Sequence, residues 1–143
     1  MWRPCSSARR RSPKARHAAT PTSRPACRCR SSLYTFHPGQ LQAFLALYER
    51  EGRPVQLEYL DGLLGYYIAE TGMLNRIVAL WGYTSMDERE RQRTALFADP
   101  RWIGYLAKIR PLMVTQESVL LRAAPFFTDR LATLLAANKE TLQ

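Results

Sequence analysis

The chain has 143 residues and a formal net charge of +9 at pH 7, with 21 Lys and Arg against 12 Asp and Glu. The excess sits in one block, because residues 1–32 hold nine basic and no acidic residues whereas residues 33–143 hold 12 of each. The pI near 10 therefore belongs to a tail rather than to a basic binding surface, and no run of ~18 apolar residues is present to span a membrane. All three cysteines, Cys5, Cys27 and Cys29, fall in the same tail, which excludes a disulfide framework, cysteine-ligated zinc and a cysteine nucleophile from residues 33–143.

Residues 1–32 mix Arg, Ser, Pro and Ala without an apolar run, a composition that predicts a disordered segment. It lacks the apolar core of a secretory signal. It has the composition of an organelle transit peptide, interrupted by Pro4, Pro13, Pro21 and Pro25, but Arg outnumbers Lys 18 to 3, which favours translation from a start codon placed too far upstream. The expected compartment is cytoplasmic, or the mitochondrial matrix if the tail is a transit peptide. Nucleic-acid binding is not expected of residues 33–143: Arg89, Arg91 and Arg93 are balanced by Asp87, Glu88 and Glu90, with Asp87 placed to pair with Arg91, so the run reads as a solvated helix face.

After the tail, "SLYTF" predicts a short strand stopped by Pro38 and Gly39. "QLQAFLALYERE" then places Leu41, Phe44, Leu45 and Tyr48 on one helical face, with Gly52 as the stop, and "VQLEYL" adds a helical turn or two. "LLGYYIAETG" and "LNRIVALWGYTS" predict two strands joined around Gly72 as a hairpin. Ser85 and Glu88 form a capping box that starts a helix. Asp99 and Pro100 start another, turning Trp102, Ile103 and Leu106 inward. "LMVTQESVLLR" is the last strand, and "TDRLATLLAANKETLQ" a final helix, capped by Thr128, with Leu131, Leu134 and Leu135 on one face. The domains are thus a 1–32 tail, a 33–127 domain and a 128–143 helical extension. The order β-α-β-β-α-β is that of an α+β, ferredoxin-like subunit.

Strand alternation places Leu64, Tyr66 and Ile68 on one side of the hairpin's first strand and Gly65, Tyr67 and Ala69 on the other; Ile77, Ala79, Trp81 and Tyr83 oppose Val78 and Leu80 on the second. Both faces are apolar. Helices can cover only one, so a second identical sheet related by a two-fold axis is expected on the other.

The segments "YTFHPGQLQAFLALYEREGRPVQ", "LLGYYIAETGMLNRIVALWGYTSMDERERQRTALFADPRW" and "YLAKIRPLMVTQESVLLRAAPF" resemble the NIPSNAP family across residues 33–127. The resemblance rests on a G-x-L-N hairpin, a W-x-Y-x-S-x-x-E-R run and an I-R-P-L-x-x-x-Q-E segment in that order. It implies a dimeric α+β barrel of ferredoxin-like subunits, in which the first strand here stands truncated at "RSSL", and it implies little chemistry. The same superfamily contains haem-dependent and cofactor-free oxygenases that use the cleft between helices and sheet.

For such a cleft the sequence offers His37, Asn75, Gln116 and Glu117 as polar candidates and Trp81, Tyr83, Trp102 and Tyr105 as walls. His37, the only histidine after the tail, would be the haem ligand, but its Pro-Gly setting reads as a turn. Asn75 reads as a hairpin hydrogen-bonder and Glu117 as the ion-pair partner of Arg110 or Arg122, while Gln116 and Glu117 point to opposite faces. No nucleophile elbow, phosphate loop or H-E-x-x-H is present. The expectation is a homodimeric module binding a small hydrophobic ligand or another protein, without metal or cofactor and without membrane insertion; the alternative is a monooxygenase-like enzyme, an oxidoreductase with or without haem.

Overall fold

The computed structural model describes residues 28–141. In chain order these form β1 (Arg28–Phe36), α1 (Leu41–Leu47), a π-helical turn (Tyr48–Gly52), α2 (Arg53–Tyr59), β2 (Leu63–Ile68), β3 (Arg76–Tyr83), α3 (Met86–Ala98), α4 (Pro100–Ile109), β4 (Met113–Arg122) and α5 (Thr128–Thr141). The four strands make one sheet in the order β2-β3-β1-β4, antiparallel throughout. This is the ferredoxin-like α+β arrangement.

β1 begins at Arg28, inside the block expected to be disordered, and it is not truncated. It pairs with β3 from Arg28 opposite Tyr83 and with β4 from Arg28 opposite Arg122. Two long neighbours present backbone donors and acceptors that far along, and backbone groups in the middle of a sheet are satisfied by pairing. The remainder of the tail, with Cys5, Cys27 and the transit-peptide reading, lies outside the described residues. Cys29 sits half-buried in β1, where burial pushes its thiol pKa up.

Gly52 does not stop the first helix. The backbone passes through it, closing the π turn with the Arg53 N–H donating to the Tyr48 carbonyl, immediately before Pro54, which has no N–H to give. Gly52 is buried, and a Cβ there would strike the Tyr105 ring, so glycine serves helix approach rather than termination.

One face of the sheet carries the core. Phe36, Ile77, Trp81 and Tyr83 are at most 3% exposed and meet Phe44, Tyr48, Leu96, Trp102 and Tyr105 from the helices; each large apolar side chain so buried contributes roughly 1.5–3 kcal/mol. The α4 phase differs from the expected one: Trp102, Tyr105 and Ile109 are buried while Ile103 is 48% exposed. The caps stand, with Ser85 Oγ accepting from the Glu88 N–H at 3.0 Å and Asp99 accepting from the Arg101 N–H at 2.8 Å. Glu88 returns its carboxylate to the N–H and hydroxyl of Thr84, one residue upstream of a closed capping box. The predicted Asp87–Arg91 pair is replaced by Arg91 with Glu88 at 4.0 Å.

Alternation on β2 shifts at a bulge between Leu63 and Gly65. Leu63 and Tyr66 therefore join the helix-side core, and Leu64 turns to the opposite face, where it packs with Leu131 and Leu135 of α5. Leu134 is only half-buried. Thr128 opens α5 by donating its hydroxyl to the Ala124 carbonyl at 3.2 Å rather than by accepting. The chain thus covers one end of its second sheet face with its own last helix; Tyr67, Val119 and Leu121 on that face remain 55%, 46% and 41% exposed.

Candidate functional site

Between the covered sheet face and the helices lies a cavity of about 70 Å³, room for several water-sized groups. Its origin is visible in the strands. Ala79 lines it, and the cross-strand partner of Ala79 is Ser32. Two small side chains at the centre of the face leave space that the aromatic residues around them enclose. Tyr34 comes from β1, Tyr66 from β2, Trp81 from β3, Tyr48 from the π turn, and Trp102 and Tyr105 from α4. Tyr48 and Tyr66 stack with centroids 4.8 Å apart, and Trp102 and Tyr105 lie 5.1 Å apart.

The helix carrying Trp102 and Tyr105 is fixed from its start. The Asp99 carboxylate accepts from Tyr59 Oη of α2 at 2.9 Å and from Arg101 at 2.7 Å, and Arg101 also reaches Glu58 at 2.7 Å. The hydrogen bonds from Arg101 hold the Asp99 carboxyl at a pKa of about 2.

Burial pushes the phenols of Tyr48, Tyr66 and Tyr105 far above their ordinary pKa, and their proximity to one another and to Tyr34 pushes the same way. They are neutral donors at any physiological pH. Tyr48 donates to Gln56 Oε1 at 2.9 Å. The polar lining otherwise comes from Gln116 on β4, Arg30 on β1 and Arg93 on α3. Among the described residues, no carboxylate, imidazole or thiol lines the cavity, and no group of three or more His, Cys, Asp and Glu is placed to hold a metal ion. The arrangement can enclose an apolar body and donate hydrogen bonds to it; it presents no proton acceptor of the general-base kind.

Of the eight residues singled out from sequence, the structure brings together Trp81, Trp102, Tyr105 and Gln116 at this cavity. Tyr83 is buried beside it near Arg30. His37 is exposed in the turn after β1, and Asn75 shapes the β2–β3 turn with φ 54°. Glu117 points to the opposite sheet face and pairs with Arg76 at 3.7 Å, in place of Arg110 or Arg122. Sequence reasoning missed Tyr34, Tyr48 and Tyr66 as walls and both arginines as polar lining. The signal for Arg93 was its spacing of three and four from Leu96 and Phe97, which shares their helix face; for Arg30 it was the even spacing from Ser32, Tyr34 and Phe36 along one strand.

The NIPSNAP family model matches residues 31–128. The chain belongs to the NIPSNAP family. A NIPSNAP family protein of unknown function from Agrobacterium tumefaciens is 35% identical, with 71% of this chain and 92% of that one covered and a TM-score of 0.68. An uncharacterized NIPSNAP-like domain protein from Burkholderia xenovorans is 34% identical, covering 71% and 89%, with a TM-score of 0.67. A putative antibiotic biosynthesis monooxygenase from Nitrosomonas europaea shares the fold alone, at 9% identity over 71% and 93% with a TM-score of 0.54. Among curated proteins, none is significantly similar to the chain. No helix among the described residues is long and apolar enough to cross a membrane.

Proposed function

We propose that this NIPSNAP protein is a homodimeric binding module that takes a small, apolar-bodied molecule into the cavity between its helices and sheet. The observation that carries the reading is the composition of that cavity: eight aromatic side chains and several hydrogen-bond donors surround it, and among the described residues no carboxylate, imidazole or thiol does. The oxygenase alternative retains only a likeness of fold, and the imidazole that haem would need, His37, is exposed in a turn and outside the lining. Dimerisation is supported by the exposed Tyr67, Val119 and Leu121 on the sheet face opposite the helices, an apolar surface of the kind that marks an interface.

Trp81 and Trp102 line the cavity, so occupancy should be read in tryptophan fluorescence. Titration with benzyl alcohol should give a saturable change that disappears in Ala79→Leu, which fills the space. No saturable change in the wild type, or an unaltered one in an Ala79→Leu protein that circular dichroism shows to be folded, would remove the cavity reading.

A further inference from the structure

Two guanidinium groups line one small cavity, and neither has a carboxylate partner among the described residues. Arg30 is only 8% exposed. Its Nε and Nη2 both donate to Ser118 Oγ, at 3.0 and 2.6 Å, a neutral acceptor that leaves its charge uncompensated. Arg93 rests its guanidinium 5.4 Å from the centroid of the Phe97 ring. Five other arginines do have a carboxylate within reach: Arg50 with Glu51, Arg76 with Glu117, Arg89 with Glu90, Arg91 with Glu88, and Arg101 with Asp99 and Glu58. Burying a cation such as Arg30 without its counter-ion costs free energy, and the half-buried Arg93 beside it adds repulsion. Burial first, and then the charge of Arg30, lowers the pKa of Arg93, so each guanidinium lies within the field of the other.

The neighbouring donors point to the same chemistry. Trp102 lines the cavity and its Nε1–H is buried without a hydrogen-bond partner, and the buried Tyr83 hydroxyl lies beside Arg30, Arg89 and Arg93. Donors and cations without acceptors describe a place for an anion.

We propose that Arg30 and Arg93 make this cavity selective for a small organic carboxylate, whose apolar body lies among the aromatic rings and whose carboxylate oxygens meet the two guanidiniums. The proposal rests on the cavity being a ligand site and adds the class of ligand. A planar carboxylate matches the planar donor fork of arginine, and one such anion offsets the repulsion between the two guanidiniums.

Isothermal titration of the full chain with benzoate and with benzyl alcohol, which share a ring and differ in charge, tests it. Benzoate should bind about tenfold more tightly than benzyl alcohol at pH 7, a difference within reach of one charge-assisted pair. In Arg93→Gln, and in Arg30→Lys where that variant folds, the ratio should fall to about one. Equal affinities in the wild type, or a preference for benzoate that survives Arg93→Gln, overturn the carboxylate assignment and leave the cavity reading standing. Failure of both ligands to bind overturns the two together.

Discussion

Arg93 illustrates how a single residue escapes a pattern. Its charge is matched within the run Asp87–Arg93, as solvation of that face requires, yet it lies on the side of α3 shared with Leu96 and Phe97 and is drawn into the cavity. Its lowered pKa means that the surroundings disfavour its charge. Arg93→Gln should therefore raise the melting temperature of the unliganded protein, by about 1–3 °C at low ionic strength, against the usual direction of mutation; a fall in a differential scanning trace would contradict the buried-repulsion account. Asp99 gives the opposite case. Its carboxyl is held from the usual 3.8 down to about 2 by the side-chain hydrogen bonds of Arg101. A depressed carboxyl contributes stability that is present above about pH 4 and is lost as pH falls toward 2. Acid titration followed by circular dichroism should show that loss in the wild type and a flatter profile between pH 4 and 2 in Asp99→Asn.

At the scale of elements, the departures occur where two segments approach. Gly52 looks like a helix stop, but the backbone runs through it because Tyr105 of α4 occupies the space a Cβ would need. Gly52→Ala should thus destabilise by about 1–3 kcal/mol through overpacking, despite alanine's better helix propensity, as urea unfolding would reveal. α5 is the second case. Its periodicity was legible, and its docking was not, because the bulge in β2 that turns Leu64 toward Leu131 and Leu135 depends on β3. Leu135, 3% exposed, should cost about 2–3 kcal/mol as Leu135→Ala, with the loss read from the same denaturation curves.

For the whole molecule, the two sheet faces are covered unequally. The helices cover one, and α5 shields only the end of the other near Leu64 and Gly82. The rest presents Tyr67, Val119 and Leu121 to solvent. Val119→Asp should shift sedimentation equilibrium from dimer toward monomer while leaving circular dichroism unchanged, since Val119 is exposed in the single chain. A wild-type protein that sediments as a compact monomer at nanomolar concentration would remove the dimer from the proposal. Ile68, 48% exposed at the sheet edge, would tolerate an aspartate that buried Trp81 would not.

Element order, the caps at Ser85 and Asp99, the turn around Gly72 and the family were all determined by the sequence, because periodicity, capping and turn chemistry act over a few neighbouring residues. The first strand's start, the passage through Gly52, the bulge at Leu64 and the meeting of Arg30 with Arg93 were decided only by tertiary structure. Each depends on partners on other elements of the fold, beyond the reach of local pattern, and Arg30 shows why that matters: in the sequence it is one more charge in a basic tail, and it becomes a cavity residue when the sheet carries it there.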